Sequence, residues 1–284
     1  MAEDMAKGDD SIWIIKPAAA YCGKGIFLHR SSFALPDHVR LHRGVACRYL
    51  SDPLLLDGLK SDVRLYVLIT GWHPLTLYLF EDGLARFATE AYARDAIDRR
   101  CMHLTNYSLN KHSRHFVKNT DAEQDGVGTK WSLAAFKRRI EQTFGVERAK
   151  QARIGGRPSS RHHTRETGEG SWPPSSTTLL INLPPCMPFS RSRTHMSRRV
   201  QVWKEVDDLV IKTAIASSTT MNEGLRACES FSSYLPAAAR GEPNTSCFQL
   251  FGFDVMLDAS GRPWLLEVNL DPALRTESPL DLKI

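Results

Sequence analysis

The chain has 284 residues, 42% hydrophobic and 24% charged, enough to bury one large core or two smaller ones. No apolar run is long enough to cross a bilayer, and the polar, acidic opening MAEDMAKGDDS is unlike a secretory or transit peptide. The net charge is +5, but residues 148–200 hold ten Lys/Arg against two Asp/Glu and leave the remainder slightly acidic. General basicity is therefore no argument for nucleic acid binding. Six cysteines, at 22, 47, 101, 186, 228 and 247, form no CxxC pair, which speaks for a reducing cytosolic setting and against structural zinc.

Residues 1–10 read as a disordered N-terminus. Ile12 to Pro17 (IWIIKP) predicts a buried strand tipped by a lysine, and Gly25 to His29 its hairpin partner across a glycine-containing turn. Val45 to Leu50 and Leu54 to Leu56 are short apolar runs split by Ser51-Asp52-Pro53. Asp62 to Thr70 (DVRLYVLIT) predicts a strand. Leu75 to Phe80 and Leu84 to Thr89 predict two more, joined by a turn at Glu81-Asp82-Gly83. Trp131 to Phe144 carries apolar residues at helical spacing and is expected to stop at Gly145; Val202 to Met221 repeats the pattern. Phe248 to Asp258 and Pro263 to Val268 predict a hairpin across Ala259-Ser260-Gly261. Residues 148–200 are rich in Ser, Pro and Arg and lack periodicity, so they read as a disordered basic insert between core segments 11–147 and 201–284.

The C-terminal hairpin carries the clearest chemistry. Asp254, Glu267 and Asn269 each follow a hydrophobic run, and residues 267 and 269 share a strand face. Two carboxylates and an amide oxygen are hard donors suited to Mg²⁺ beside nucleotide phosphates. Any one of them alone would be an ordinary surface group; together they favour a metal site. Lys16 with Gly23-Lys24-Gly25 could contact phosphates, although GKG alone is better read as a plain turn. Lys60, Asp62 and Arg64 alternate onto one face, opposite Val63 and Leu65, as they would in any half-exposed strand. Arg86 could grip a carboxylate through two hydrogen bonds or simply face solvent. HLTNYSLNK (His103 to Lys111) is dense in hydrogen-bonding groups but has turn-like composition, and His103 reads as a satisfied structural histidine. No Ser/His/Asp or Cys/His arrangement stands out.

Taken in order, IWIIKP, GKGIFL, RYLSDPLLLDGLKSDVRLYVLIT, PLTLYLFEDGLARFAT, MHLTNYSLNK, GTKWSL, DDLVIKTAI and CFQLFGFDVMLDASGRPWLLEVN resemble the tubulin–tyrosine-ligase-like family. HLTNYSLNK and the terminal SPLDLKI resemble its polyglutamylase branch in particular. The resemblance implies an α+β ATP-grasp fold, two lobes with mostly antiparallel sheets holding ATP between them. It implies Mg²⁺ at Asp254, Glu267 and Asn269. Nucleotide contacts are implied from Lys16, Cys22, Gly23, Lys24, Gly25, Cys47, Arg48, Tyr49, Leu50, Lys60, Asp62, Thr105 and Asn106. Arg86, Tyr107, Ser108 and Lys130 fall where the family binds glutamate, and Lys60, Arg64 and Glu267 where it performs catalysis.

The implied activity is ATP-dependent ligation of free L-glutamate to glutamate side chains of acidic tubulin tails, through an acyl phosphate. The implied setting is cytoplasmic and cytoskeletal, including cilia or basal bodies, for a monomer with no nucleic acid or membrane partner. Glycine or tyrosine addition on the same scaffold, and an inactive microtubule-associated module, are the alternatives. The chain departs from the family pattern at Cys22, at Ser61 and at Asp271-Pro272-Ala273. It opens at the central lobe, so the family's N-terminal domain is expected to be missing, and it stops where the pattern has a further lysine after PLDLKI. The 148–200 segment would fit retained non-coding sequence as well as a true insert.

Overall fold

Alternating apolar residues build a small antiparallel sheet from the first fifty residues. The computed structural model describes residues 10–18, 23–37, 43–72, 74–119, 121, 125–154, 198–231, 248–274 and 278–282. In it β1 (Ile12–Pro17) lies between β2 (Phe27–Arg30) and β3 (Gly44–Arg48). Ile12, Leu28 and Tyr49 form a minor core here, with Ile14, Tyr92 and Ile97 packed around it.

The second sheet is larger and entirely antiparallel. It comprises β5 (Leu59–Trp72), β6 (Leu75–Phe87), β7 (Lys130–Ser132), β8 (Gln249–Leu257) and β9 (Pro263–Asn269), in the order β7-β6-β5-β8-β9. Short β4 (Leu55–Leu56) pairs with the start of β5. Two single-turn helices, α1 (Arg100–His103) and α2 (Tyr107–Asn110), follow β6. Two long ones, α3 (Leu133–Ile154) and α4 (Arg198–Phe231), flank the region between β7 and β8. Antiparallel sheets with few helices make this an α+β fold, as expected.

The period of two in β5 separates its faces. Val63, Leu65, Val67 and Ile69 join Ala85, Phe87, Phe253, Val255 and Leu257 in one apolar layer. Leu133, Phe136 and Ile140 of α3 and Val202, Val206, Val210 and Ala214 of α4 close over it. Each fully buried large side chain contributes about 1.5–3 kcal/mol of transfer free energy, so this layer dominates stability. The other face of the same strands is left for charged groups.

Four local expectations are corrected. Glu81-Asp82-Gly83 is no hairpin turn: β6 runs unbroken from Leu75 to Phe87, with a bulge between the Leu65↔Gly83 and Val67↔Leu79 pairs. Pairing along β5 outweighs the local turn chemistry, and the bulge has a use. Asp82 Oδ1 accepts from the Gly83 N–H at 2.8 Å and the Ala134 N–H at 3.1 Å, capping the start of α3. The helix predicted from Trp131 instead starts at Leu133, after β7, and passes Gly145 to reach Ile154. A single glycine costs about 1 kcal/mol in a helix, too little to end one. The second helix is longer than its Val202–Met221 periodicity, and HLTNYSLNK is partly helical rather than loop. Residues 155–197, most of the expected insert, lie outside the described residues, as do residues 1–9.

Candidate active site

Register assembles the site. Asp62 of β5 stands opposite Arg86 of β6, which stands opposite Lys130 of β7. Two residues along β5, Arg64 stands opposite Asp254 of β8, which stands opposite Glu267 of β9. Directly paired residues share a face, and Asn269 lies two beyond Glu267. Charged residues from five strands thus form one cross-strand row on the face turned away from α3 and α4.

The centre of the row is a buried ion network. Arg64 donates from Nε to Asp254 Oδ1 and from Nη2 to Oδ2, the latter at 2.9 Å. Arg86 donates from Nε to Asp62 Oδ1 at 3.0 Å and from Nη2 to Oδ2, and Nη2 also lies 2.9 Å from Asp254 Oδ2. Burial opposes the Asp254 charge, but Arg64 and then Arg86 outweigh it and hold the carboxyl below its usual range. Burial likewise opposes the Arg86 charge, and Asp62 with Asp254 more than offsets it. Arg86 therefore touches both the expected nucleotide-contact residue and an expected metal ligand, beyond the amino-acid role the sequence assigns it.

At one end of the row Lys130 Nζ pairs with Asp281, in the 3-10 turn Pro279–Leu282. Asp281 Oδ2 also accepts from the Ser278 N–H at 2.8 Å, and Leu280 beside it is fully buried. The Lys130 ammonium lies 5.7 Å from the centre of the Tyr107 ring. Lys130, expected among the glutamate-binding residues, thus already holds a carboxylate of this chain.

On the nucleotide side, Lys16 Nζ reaches the Leu266 carbonyl at 3.4 Å, tying the small sheet to β9 beside Glu267. Gly23 and Gly25 take φ of +74° and +69°, and a Cβ on Gly23 would lie 2.9 Å from the Asn106 side chain. Only glycine lets the turn approach Asn106 so closely. Arg100 donates to the Gly23 carbonyl at 2.8 Å, fixing the turn to α1. A cavity of about 570 Å³, lined by Lys16, Pro17, Gly25, Ile26, Arg43 and Val45 among others, opens at this end. Its size suits a small-molecule ligand. Lys24 is exposed, Thr105 is buried, and Ser108 is half-buried beside Tyr107. Cys47 is exposed on β3, Leu50 half-buried beyond it, and Arg48 turns away to Ser11 Oγ at 2.8 Å. Cys22 lies outside the described residues.

At the other end, Glu267 is exposed and Asn269 donates from Nδ2 to the Gly252 carbonyl at 3.3 Å, leaving its amide oxygen available. This set fits a hard cation: one open carboxylate, one amide oxygen and Asp254, whose Oδ1 takes a single donor. No cluster of three or more His, Cys, Asp or Glu suited to a metal occurs among the described residues; here the third donor is an amide.

Sequence reasoning passes over two residues, Asn110 and Asp281. Asn110 uses its whole amide: Oδ1 accepts from the Thr89 N–H and Oγ at 3.1 and 2.9 Å, and Nδ2 donates to the Leu104 and Asn106 carbonyls at 2.7 and 3.0 Å. It pins the Thr105-Asn106 turn to the end of β6. The Asp281 carboxylate is the other; Tyr49, expected at the nucleotide, also meets His103 through its hydroxyl. Only Asp281, an acid inside the apolar SPLDLKI, has any signal in the sequence.

Comparison with known proteins agrees with this architecture. The chain matches the Tubulin-tyrosine ligase family over residues 1–159 and 189–284. It is 36% identical over 279 residues to human "Tubulin polyglutamylase TTLL5", covering 97% of this chain and 16% of that protein. It is 33% identical to a "Probable beta-tubulin polyglutamylase" of Tetrahymena thermophila, covering 98% and 18%. Human "Tubulin polyglutamylase TTLL13" is 31% identical, covering 96% and 26%. The chain therefore spans about a quarter or less of these relatives' lengths. On this sequence match and the charged row across its sheet, the chain belongs to the tubulin-tyrosine ligase family.

Proposed function

We propose that this chain carries the ATP-grasp core of a protein–glutamate ligase, with ATP held between the two sheets and acidic tubulin tails as acceptor. The observation that carries the reading is the row running from Lys130 through Arg86 and Asp62 to Arg64, Asp254 and Glu267. Cations gather at its Lys130–Arg86 end and carboxylates at its Asp254–Glu267 end, with Asp62 and Arg64 between, as a site joining carboxylates, phosphates and a cation requires. The relatives named as polyglutamylases favour glutamate over glycine or tyrosine, and the intact row favours an enzyme over an inert module.

In this reading the Cys47–Leu50 segment lies along the base. Lys16, Lys60 and the Gly23-Lys24-Gly25 turn hold the phosphates, with Asp62, Thr105 and Asn106 completing the nucleotide contacts. Glu267, Asn269 and Asp254 would hold Mg²⁺, whose charge neutralises phosphate oxygens when bound. Arg86, Tyr107, Ser108 and Lys130 receive the incoming glutamate, Lys130 sharing or exchanging Asp281. The acceptor carboxylate oxygen attacks the terminal phosphorus and ADP leaves, giving an acyl phosphate. Arg64 and Arg86 face the charge that builds there. The glutamate amine then attacks the acyl carbon, phosphate departs, and the amine loses its proton. Positioning supplies most of the rate, since no side chain is acylated. The setting is the cytoskeleton; among the described residues no helix is long and apolar enough to cross a membrane.

The test is ATP affinity with and without Mg²⁺, by calorimetry. The chain should bind ATP more tightly with Mg²⁺, and Glu267→Gln should lose that gain with an unchanged melting temperature, because Glu267 is exposed. Equal Mg²⁺ dependence in both proteins would remove Glu267 from the metal site.

A further inference from the structure

Lys60 is buried, 5% exposed, and forms no ion pair among the described residues. Asp62, two residues along, is taken by Arg86. Instead Nζ donates to the Tyr49 hydroxyl at 2.9 Å and to the His103 carbonyl at 2.8 Å, with the Tyr49 ring centre 4.4 Å away. Tyr49 Oη lies 2.9 Å from His103 Nδ1, and His103 Nε2 lies 2.9 Å from the Ala96 carbonyl.

The hydrogens in this chain have one arrangement. A carbonyl only accepts, so Nε2 of His103 carries the proton; in the neutral ring Nδ1 is then an acceptor. The Tyr49 hydroxyl donates to Nδ1 and offers only lone pairs to Lys60. Donation runs in one direction, Lys60 to Tyr49 to His103 to Ala96. Two of the three ammonium hydrogens are engaged, and one remains.

We propose that Tyr49 and His103 are positioning residues that hold Lys60 as an anion-binding donor, fixing its third hydrogen for the phosphates of the nucleotide. This rests on the ATP-ligase reading above. A buried ammonium supported only by neutral acceptors is costly for a fold, and an apolar residue would serve packing better. An anionic ligand supplies the missing counter-charge.

The arrangement makes nucleotide binding sensitive to pH. Burial lowers the lysine's proton affinity to about 7, with Asp62 opposing the loss of charge and Lys16 adding to it. Burial keeps His103 neutral, helped by Lys60, and burial with Tyr92 keeps the Tyr49 hydroxyl protonated. Lys60 is therefore the member of the chain that titrates near neutrality. Its folded pKa lies below its ordinary value, so the charged donor is present at low pH and lost as pH rises through about 7.

The experiment measures the ATP dissociation constant from pH 6 to 9, with melting temperatures on the same samples, for wild type, Tyr49→Phe, His103→Leu, His103→Gln and Lys60→Met. Tyr49→Phe keeps the ring and deletes the acceptor, so affinity at pH 8 should fall about tenfold, the scale of one charge-assisted hydrogen bond. The fall should shrink at pH 6, because the alkaline limb moves to lower pH. His103→Leu should behave like Tyr49→Phe. His103→Gln, whose amide can accept from Tyr49 and donate to Ala96, should restore the wild-type profile, and Lys60→Met should bind weakly at every pH. A wild-type profile in Tyr49→Phe, or a pH-independent loss that tracks melting temperature, overturns the proposal while leaving ATP binding intact. A wild-type protein that binds no ATP at any pH overturns the ligase reading itself.

Discussion

Arg64 meets Asp254 side-on, Nε to one carboxylate oxygen and Nη2 to the other, across the β5–β8 pair. Both groups are buried, at 14% and 7% side-chain exposure, so solvent screens them little. Arg64→Ala leaves Asp254 with Arg86 as its single cationic partner and should destabilise the fold by about 3 kcal/mol. The pH dependence has a fixed sign. Asp254 is held below its usual range, so its contribution is complete above the unfolded carboxylate value of about 3.9 and is lost as pH falls. In Arg64→Ala the depression is smaller, so the acid limb of the unfolding midpoint should move to higher pH. Urea titrations between pH 3 and 6 check this; coincident acid limbs would show that Arg64 does not set the Asp254 charge.

The bulge in β6 makes a second, separable prediction. A Cβ on Gly83 would overlap the Arg64 carbonyl oxygen, a backbone atom that cannot swing aside. Gly83→Ala should therefore cost about 1–3 kcal/mol and lower ATP-dependent activity by displacing Arg64. Thermal unfolding and ligation assays report the two effects. Wild-type stability would mean that the bulge relaxes freely.

Much of this was legible from local pattern. Alternation in DVRLYVLIT places Asp62 and Arg64 together, and the FGFDVML and WLLEVN runs place Asp254 near Glu267, because strand periodicity and a short hairpin are local properties. Glu81-Asp82-Gly83 reads as a turn because the same residues serve turns, bulges and helix caps; the partner strand decides among them. Distance along the chain hides the rest. Lys130 and Asp281 are 151 residues apart, and Tyr49 meets His103 across 54, so nothing in either neighbourhood announces the contact. Arg86 reads as a carboxylate receptor from its place in an apolar strand, but not as the bridge between Asp62 and Asp254.

Asp281 neutralises Lys130, one of the residues expected to bind glutamate. Asp281→Asn keeps an acceptor for the Ser278 N–H but removes the charge facing Lys130. The uncompensated ammonium should then hold an external carboxylate better. The KM for glutamate should fall severalfold, with the KM for ATP unchanged, since the nucleotide residues lie along the row from Lys130. Separate titrations of glutamate and ATP decide it. A higher KM for glutamate would mean that Asp281 orients Lys130 rather than competing for it.

The most direct measurement is mass spectrometry of tubulin C-terminal tail peptides incubated with this protein, ATP, Mg²⁺ and free amino acids offered singly. Glutamate should be added to the peptides as successive glutamyl mass increments that require ATP, and Glu267→Gln should add none. Peptides left unmodified by a protein that binds Mg²⁺-ATP, or modified by glycine or tyrosine in preference to glutamate, would contradict the assignment of this charged row to glutamate ligation.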